Sequence, residues 1–215
     1  MSRGRRDVMV LVASLAVFAV CAVIAADGRV GPIERAAFHA VNGLPNWLYG
    51  PMLAFQYLGV LAMPLIVAVG ALAFRRWRLA AALVLVVPCK LALERVVKWL
   101  VQRERPGTTV GDAILRGVHP GGLSFVSGHA IITFAIAGLL ALVLPRRWAV
   151  LGFVLASLNA VARVYLGAHN PLDVVGGAAV GLTIAAALDL VLNVAGDRGG
   201  SRPGRTAPTG EDRAA

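Results

Sequence analysis

The chain has 215 residues, of which 58% are hydrophobic and only 15% charged, and its mean hydropathy is +0.75. That balance excludes an ordinary soluble domain and makes a bilayer protein the first expectation. The formal net charge of +10 would fit a nucleic-acid binder, but its distribution along the chain argues for a membrane instead.

A bilayer span needs about 20 mostly apolar residues. Six such segments are expected, near 8–26, 50–74, 79–99, 129–145, 148–166 and 171–194. The first, VMVLVASLAVFAVCAVIAA, follows the basic start MSRGRR. It exceeds the roughly 7–15 apolar residues of a cleaved signal peptide and has no short polar region before Asp27, so it reads as a retained signal anchor. Cys21 and Cys89 fall in apolar helices and read as small core hydrophobes. Pro64 and Pro88 lie within expected spans, where neighbouring helices tolerate kinks. The small residues Gly176, Gly177, Ala178, Ala179 and Gly181 of the last span permit close helix packing. The tail GDRGGSRPGRTAPTGEDRAA, 196–215, has the composition of a disordered segment. The expected architecture is all-α: one polytopic helical bundle over 1–195 with about six spans, and a disordered cytoplasmic tail over 196–215.

With the N-terminus in the cytoplasm, the inner breaks carry Arg3, Arg5 and Arg6, then Arg75, Arg76 and Arg78, then Arg146 and Arg147, then Arg198, Arg202, Arg205 and Arg213. That is 12 of the 21 basic residues, as the positive-inside rule requires when both termini are cytoplasmic. Trp77 and Trp148 fall at the inner boundary, and Trp47 and Trp99 at the outer one, as an aromatic belt would place them. Nucleic acid is not an expected partner. Topology leaves Lys90, Arg95, Lys98, Arg103, Arg105, Arg116 and Arg163 unexplained. All lie in or beside outer breaks, where the rule depletes basic residues, and this excess asks for an anionic partner.

The break near 100–128 is long for a compact domain, and its charge and glycine content favour function over disorder. Three polar clusters surround it. In KWLVQRERP, 98–106, Lys98 and Arg105 are seven apart and share a face if the third helix runs on until Pro106 ends it. Taken alone, snorkelling at a helix end explains them as well. Ser127, Gly128 and His129 open the fourth span, where backbone N–H groups and the helix dipole suit an anion, although Ser127 also fits a plain N-cap. In ARVYLGAHNPLDVVGG, 162–177, Asn170 and Pro171 read as N-cap and first helical residue. Asp173 then either closes a capping box or orients His169 four residues earlier. His119 reads as an exposed loop residue, Lys90 and Glu94 as an intrahelical pair, and His39 has no expected chemical role. The clusters converge at the ends of spans three to six on one membrane face, which marks a functional site.

The order lysine, six residues, Arg-Pro; Ser-Gly-His; and Arg, five residues, His, three residues, Asp resembles the three-part signature of the type 2 phosphatidic acid phosphatase superfamily of membrane lipid phosphatases. The motifs cover about 98–173. Val126 stands where that family usually has Pro, and Ala162 where it often has Ser. The resemblance implies that His169 attacks phosphorus and forms a phosphohistidine, with Asp173 orienting its ring and His129 acting as acid and then base. It implies that Lys98, Arg105, Ser127, Gly128 and Arg163 hold the phosphoryl oxygens, with no metal and no cofactor. The expected partners are a lipid phosphate and the bilayer, with the site on the extracytoplasmic side of the plasma (inner) membrane. Arginine outnumbers lysine 19 to 2 and alanine and valine are abundant, a bacterial GC-rich bias that favours a polyprenyl (pyro)phosphate of the cell envelope. A phosphotransferase of the same fold, and a non-catalytic lipid or anion carrier, remain the alternatives.

Overall fold

A computed structural model describes residues 3–199. Nine α-helices run in chain order among the described residues: α1 (Arg3–Ala25), α2 (Pro32–Asn42), α3 (Tyr49–Gln56), α4 (Met63–Ala73), α5 (Trp77–Val101), α6 (Pro106–Thr109), α7 (Gly128–Val143), α8 (Arg146–Tyr165) and α9 (Pro171–Leu192). There is no named strand among them, and the expectation of an all-α chain holds. A 3-10 turn, Val194–Gly199, follows α9; the rest of the expected tail, 200–215, lies outside the described residues.

By length and composition α1, α8 and α9 suffice to cross a membrane. The expected second span, 50–74, is not one helix. It divides into α3, a 3-10 turn at Tyr57–Gly59 and α4, and the two arms meet at 67°. The cause is local: Val60 is extended (φ −71°, ψ 153°), and Pro64 starts the first turn of α4 rather than kinking a continuous helix. If the bent pair is one span, four segments qualify. Helix α7 has 16 residues, about 24 Å at 1.5 Å per residue. Helix α5 has 25 residues but carries Arg78, Lys90, Glu94, Arg95 and Lys98. The break 27–49, expected on the outer side, also contains α2, an element with no expected counterpart.

A second difference lies at the end of α5. The helix stops at Val101, with Gln102 in the left-handed region (φ 50°), and Pro106 opens α6 with Arg105 as its N-cap. Lys98 and Arg105 therefore do not share a helical face. Proline is as suited to the first turn of a new helix as to the end of an old one, so position alone did not distinguish the two.

Helices α7 and α9 pack closely through glycine. A β-carbon on Gly177 would lie 2.6 Å from the Ser127 carbonyl oxygen, and one on Gly181 would lie 2.5 Å from that of Ile131. Alanine at either site would overpack the contact by about 1–3 kcal/mol, so the small-residue reading of the last span is supported. Ser14 of α1 meets Thr183 of α9 at 2.9 Å. At one end of the bundle, Arg78 at the start of α5 donates to the Asn193 carbonyl after α9 (3.4 Å). The polar clusters gather at the other end.

Candidate active site

The segment between α5 and α7 is tied down rather than free. Its arms pair antiparallel through Glu104 and Leu123, flanked by Arg105 N–H on the Gly122 carbonyl (3.1 Å) and Ser124 N–H on the Arg103 carbonyl (2.7 Å). Arg116 donates to the carbonyls of Asn42 (2.8 Å), Tyr165 (2.7 Å) and Leu44 (3.2 Å), and its guanidinium lies 4.1 Å from the Tyr165 ring centre. Buried Asn42 bonds the Ile114 N–H (2.8 Å) and the carbonyls of Ile114 and Tyr165 (2.9 Å each). These bonds fix the turn after α8, where Gly167 takes φ +78° and a β-carbon would meet the Ile114 carbonyl at 2.7 Å. Only glycine fits both conditions.

That turn delivers His169, which is 2% exposed. Its Nδ1 lies 3.7 Å from Asp173 Oδ2 and has no hydrogen-bond partner. Asp173 is completely buried and heavily engaged. Oδ2 accepts the Asn170 N–H at 2.7 Å and the Ser124 hydroxyl, Oδ1 receives Arg103 Nη1 at 3.3 Å, and the Asp173 carbonyl accepts the Ser127 N–H at 2.9 Å. The two readings of Asp173 thus coexist: it caps α9 and stands beside His169. Burial, with the charges of Arg163 and Arg105 acting against that of Asp173, lowers the His169 pKa to about 4. The ring is neutral near pH 7.

Arg103, which the sequence reading counted without assigning, is the centre of this end of the bundle. Its side chain is fully buried and forms a forked pair with Glu34, Nη1 to Oε1 at 3.0 Å and Nη2 to Oε2 at 2.5 Å, while Nη2 also reaches the Arg29 carbonyl at 3.0 Å. Glu34 also accepts the Leu172 N–H in the first turn of α9 (2.9 Å). Burial opposes the charge of Arg103, but Glu34 and Asp173 outweigh it and raise its pKa. The only signals for this network were a lone Arg in the long break and Glu34 in a short polar segment; neither spacing is diagnostic.

His129 stands in the first turn of α7 against the broken segment. A β-carbon on Gly59 would fall 2.7 Å from His129 Cβ, so the turn between α3 and α4 is where the ring packs. The same segment supplies Gln56, whose Oε1 receives Arg163 Nη1 at 2.5 Å. His169, Arg163, Lys90 and Glu94 all act electrostatically on His129, and Arg163 and Arg105 act on His169. The structure therefore brings His129, His169, Asp173, Arg105, Arg163, Ser127 and Gly128 to one end of the bundle. Lys98 reaches that end engaged: its Nζ is 2.6 Å from Glu94 Oε1. The excess of basic residues in the breaks expected on the outer side is partly internal in origin, since Arg103, Arg116, Lys90 and Lys98 have partners within the chain. His119 is exposed, as expected, and His39 lies 3.6 Å from Asp112.

Among the buried side-chain atoms with no hydrogen bond are Ser127 Oγ, Arg105 Nε, Arg163 Nε and His169 Nδ1. Buried polar atoms are nearly always bonded; His169 Nδ1 faces Asp173, and the other three orphans, two arginine Nε atoms and a hydroxyl, suit an oxyanion with several acceptor oxygens.

The profile of the PAP2 superfamily matches residues 75–195. An undecaprenyl-diphosphatase of Sulfolobus acidocaldarius is 32% identical over 146 residues, 67% of this chain and 68% of that protein. A decaprenylphosphoryl-5-phosphoribose phosphatase of Mycobacterium tuberculosis is 41% identical over 103 residues, 46% of this chain and 54% of that protein. The crystal structure of a transmembrane PAP2-type phosphatidylglycerolphosphate phosphatase from Bacillus subtilis superposes with a TM-score of 0.68, covering 84% of this chain and 94% of that one at 24% identity. At that identity the likeness establishes the fold.

Proposed function

The chain belongs to the PAP2 superfamily, and on that premise we propose that it is an integral membrane lipid phosphatase acting on a polyprenyl phosphate or diphosphate through a phosphohistidine on His169. The observation that carries this reading is the group of three unbonded polar atoms, on Ser127, Arg105 and Arg163, at the end of the bundle that holds the two histidines.

In the proposed reaction, neutral His169 attacks phosphorus through Nε2 while its Nδ1 proton faces the Asp173 carboxylate 3.7 Å away. The P–O bond to the leaving group breaks, and His129 gives that oxygen a proton. His129 then takes a proton from water, which attacks the phosphohistidine and releases phosphate with His169 restored. Arg105, Arg163, Lys98, the Ser127 hydroxyl and the Gly128 N–H stabilise the equatorial oxygens, where phosphoryl-transfer catalysis chiefly resides.

The membrane layout belongs to the same proposal. Six spans follow if the α3–α4 pair, α5 and α7 each cross. The arginine-rich ends of α1, α4 and α8 then face the cytoplasm and the site faces outward. The phosphate of an amphiphile would meet the site at the lipid-water boundary. The polyprenyl preference is supported by the likeness to the undecaprenyl-diphosphatase, the relative whose matched region covers 67% of the chain. Incubating purified protein in detergent and chelator with undecaprenyl diphosphate, phosphatidic acid and phosphatidylglycerophosphate tests it. Fastest phosphate release from the polyprenyl lipid is expected; release from another lipid alone reassigns the substrate, and release from none rejects the activity.

A further inference from the structure

The mechanism above uses Lys98 alone of a three-membered charge ladder on α5. Glu94 stands one turn from each lysine, its Oε2 2.5 Å from Lys90 Nζ and its Oε1 2.6 Å from Lys98 Nζ. The side chains of Lys90, Glu94 and Lys98 are 13%, 16% and 22% exposed, so the ladder is turned into the protein and not toward open surface.

Its location decides its meaning. A β-carbon on Gly128 would lie 2.7 Å from Glu94 Oε2, 2.9 Å from Oε1 and 2.7 Å from Lys90 Cε. The carboxylate therefore rests against the first residue of α7, and the residue before it, Ser127, has a buried and unbonded hydroxyl. A helix N-terminus favours one anion at that spot. A carboxylate oxygen and a phosphoryl oxygen also compete for the same lysine. A plain stabilising pair within a helix would need only one lysine and would ordinarily lie at the surface.

We propose that Glu94 is a built-in anionic competitor of the phosphate headgroup and sets how strongly the site discriminates by headgroup charge. In the free protein Glu94 holds Lys98. When a phosphoryl group enters, Lys98 turns to it, and Lys90 keeps the carboxylate paired. The fixed negative charge beside the site costs a diphosphate headgroup more than a monophosphate one, since repulsion grows with ligand charge, a term separate from what the lipid tail contributes to substrate choice. This inference rests on the phosphate-site reading above.

Inhibition constants for inorganic phosphate and inorganic pyrophosphate, read as loss of lipid substrate with the detergent-purified full chain, test it. Glu94→Gln keeps the side-chain shape and removes the charge; it should tighten phosphate about tenfold and pyrophosphate by more. Lys90→Met leaves Glu94 to Lys98 alone and should weaken both inhibitors, which gives an independent reading even if Glu94→Gln does not fold. Weaker or unchanged inhibition in Glu94→Gln overturns the inference, as does unchanged or tighter inhibition in Lys90→Met. A structural role for Glu94 as the anchor of Lys98 predicts that opposite sign. If neither anion inhibits the unaltered protein, the phosphate-site reading falls and this inference with it.

Discussion

His169 Nδ1 lies 3.7 Å from Asp173 Oδ2, and the same carboxylate oxygen accepts the Asn170 N–H at 2.7 Å. One oxygen thus serves both the start of α9 and the imidazole before it. The carboxylate cannot be removed without disturbing both. Asp173→Asn is expected to lower phosphate release by about 10²–10⁴-fold, the range for positioned acid-base groups, and to lower the melting temperature because Arg103 loses a buried counter-charge. Phosphate release and a thermal melt on the same preparation check the two effects together.

The His169 pKa of about 4 sets a pH signature. Above it the ring is neutral and able to attack, so the loss of kcat/KM that comes from protonating His169 should set in only as pH passes through about 4, and not near 6.5, on a substrate whose own ionisation is known. Stability has a different dependence. Between about 6.5 and 4 the unfolded chain takes up a proton that the folded chain refuses, so stability falls as pH falls through that window. His169→Ala should lose part of this slope, which melting temperatures at pH 7 and pH 4.5 would show.

Arg103 is predicted to matter for folding more than for chemistry. Replacing it with Met leaves Glu34 and Asp173 buried without their cation and should cost about 3–5 kcal/mol. Lysine should rescue little, because it cannot reproduce the forked contact with Glu34. Resistance to denaturant in detergent measures both, and Arg103→Met with unaltered stability would contradict the structure.

Gly59→Ala tests the broken segment. Its β-carbon would meet His129 Cβ at 2.7 Å, and a ring displaced by about 1 Å should lose about 10²-fold in kcat with little loss of helix. Circular dichroism and steady-state kinetics separate that outcome from unfolding.

Two of the three clusters could be read from residue types because each is local: Ser127 to His129 at one helix start, and Arg163 to Asp173 within eleven positions. The break at Val60 could not, because hydropathy is blind to direction and 50–74 is apolar on both arms of the bend. The end of α5 at Gln102 was hidden by Pro106, which fits either side of a helix boundary. Arg103, Glu34 and Asp173 are joined across about 70 and 140 positions, and only tertiary packing brings such residues together. The Lys90–Glu94 pair was legible as a pair, but its seat against Gly128 was not.

The most direct test is to trap the intermediate. Quenching the reaction with ³²P-labelled lipid substrate should yield an alkali-stable, acid-labile protein phosphate that maps to His169, is absent in His169→Ala and, once formed, decays more slowly in His129→Ala. Undiminished phosphate release by His169→Ala, or label on another residue, would contradict the account.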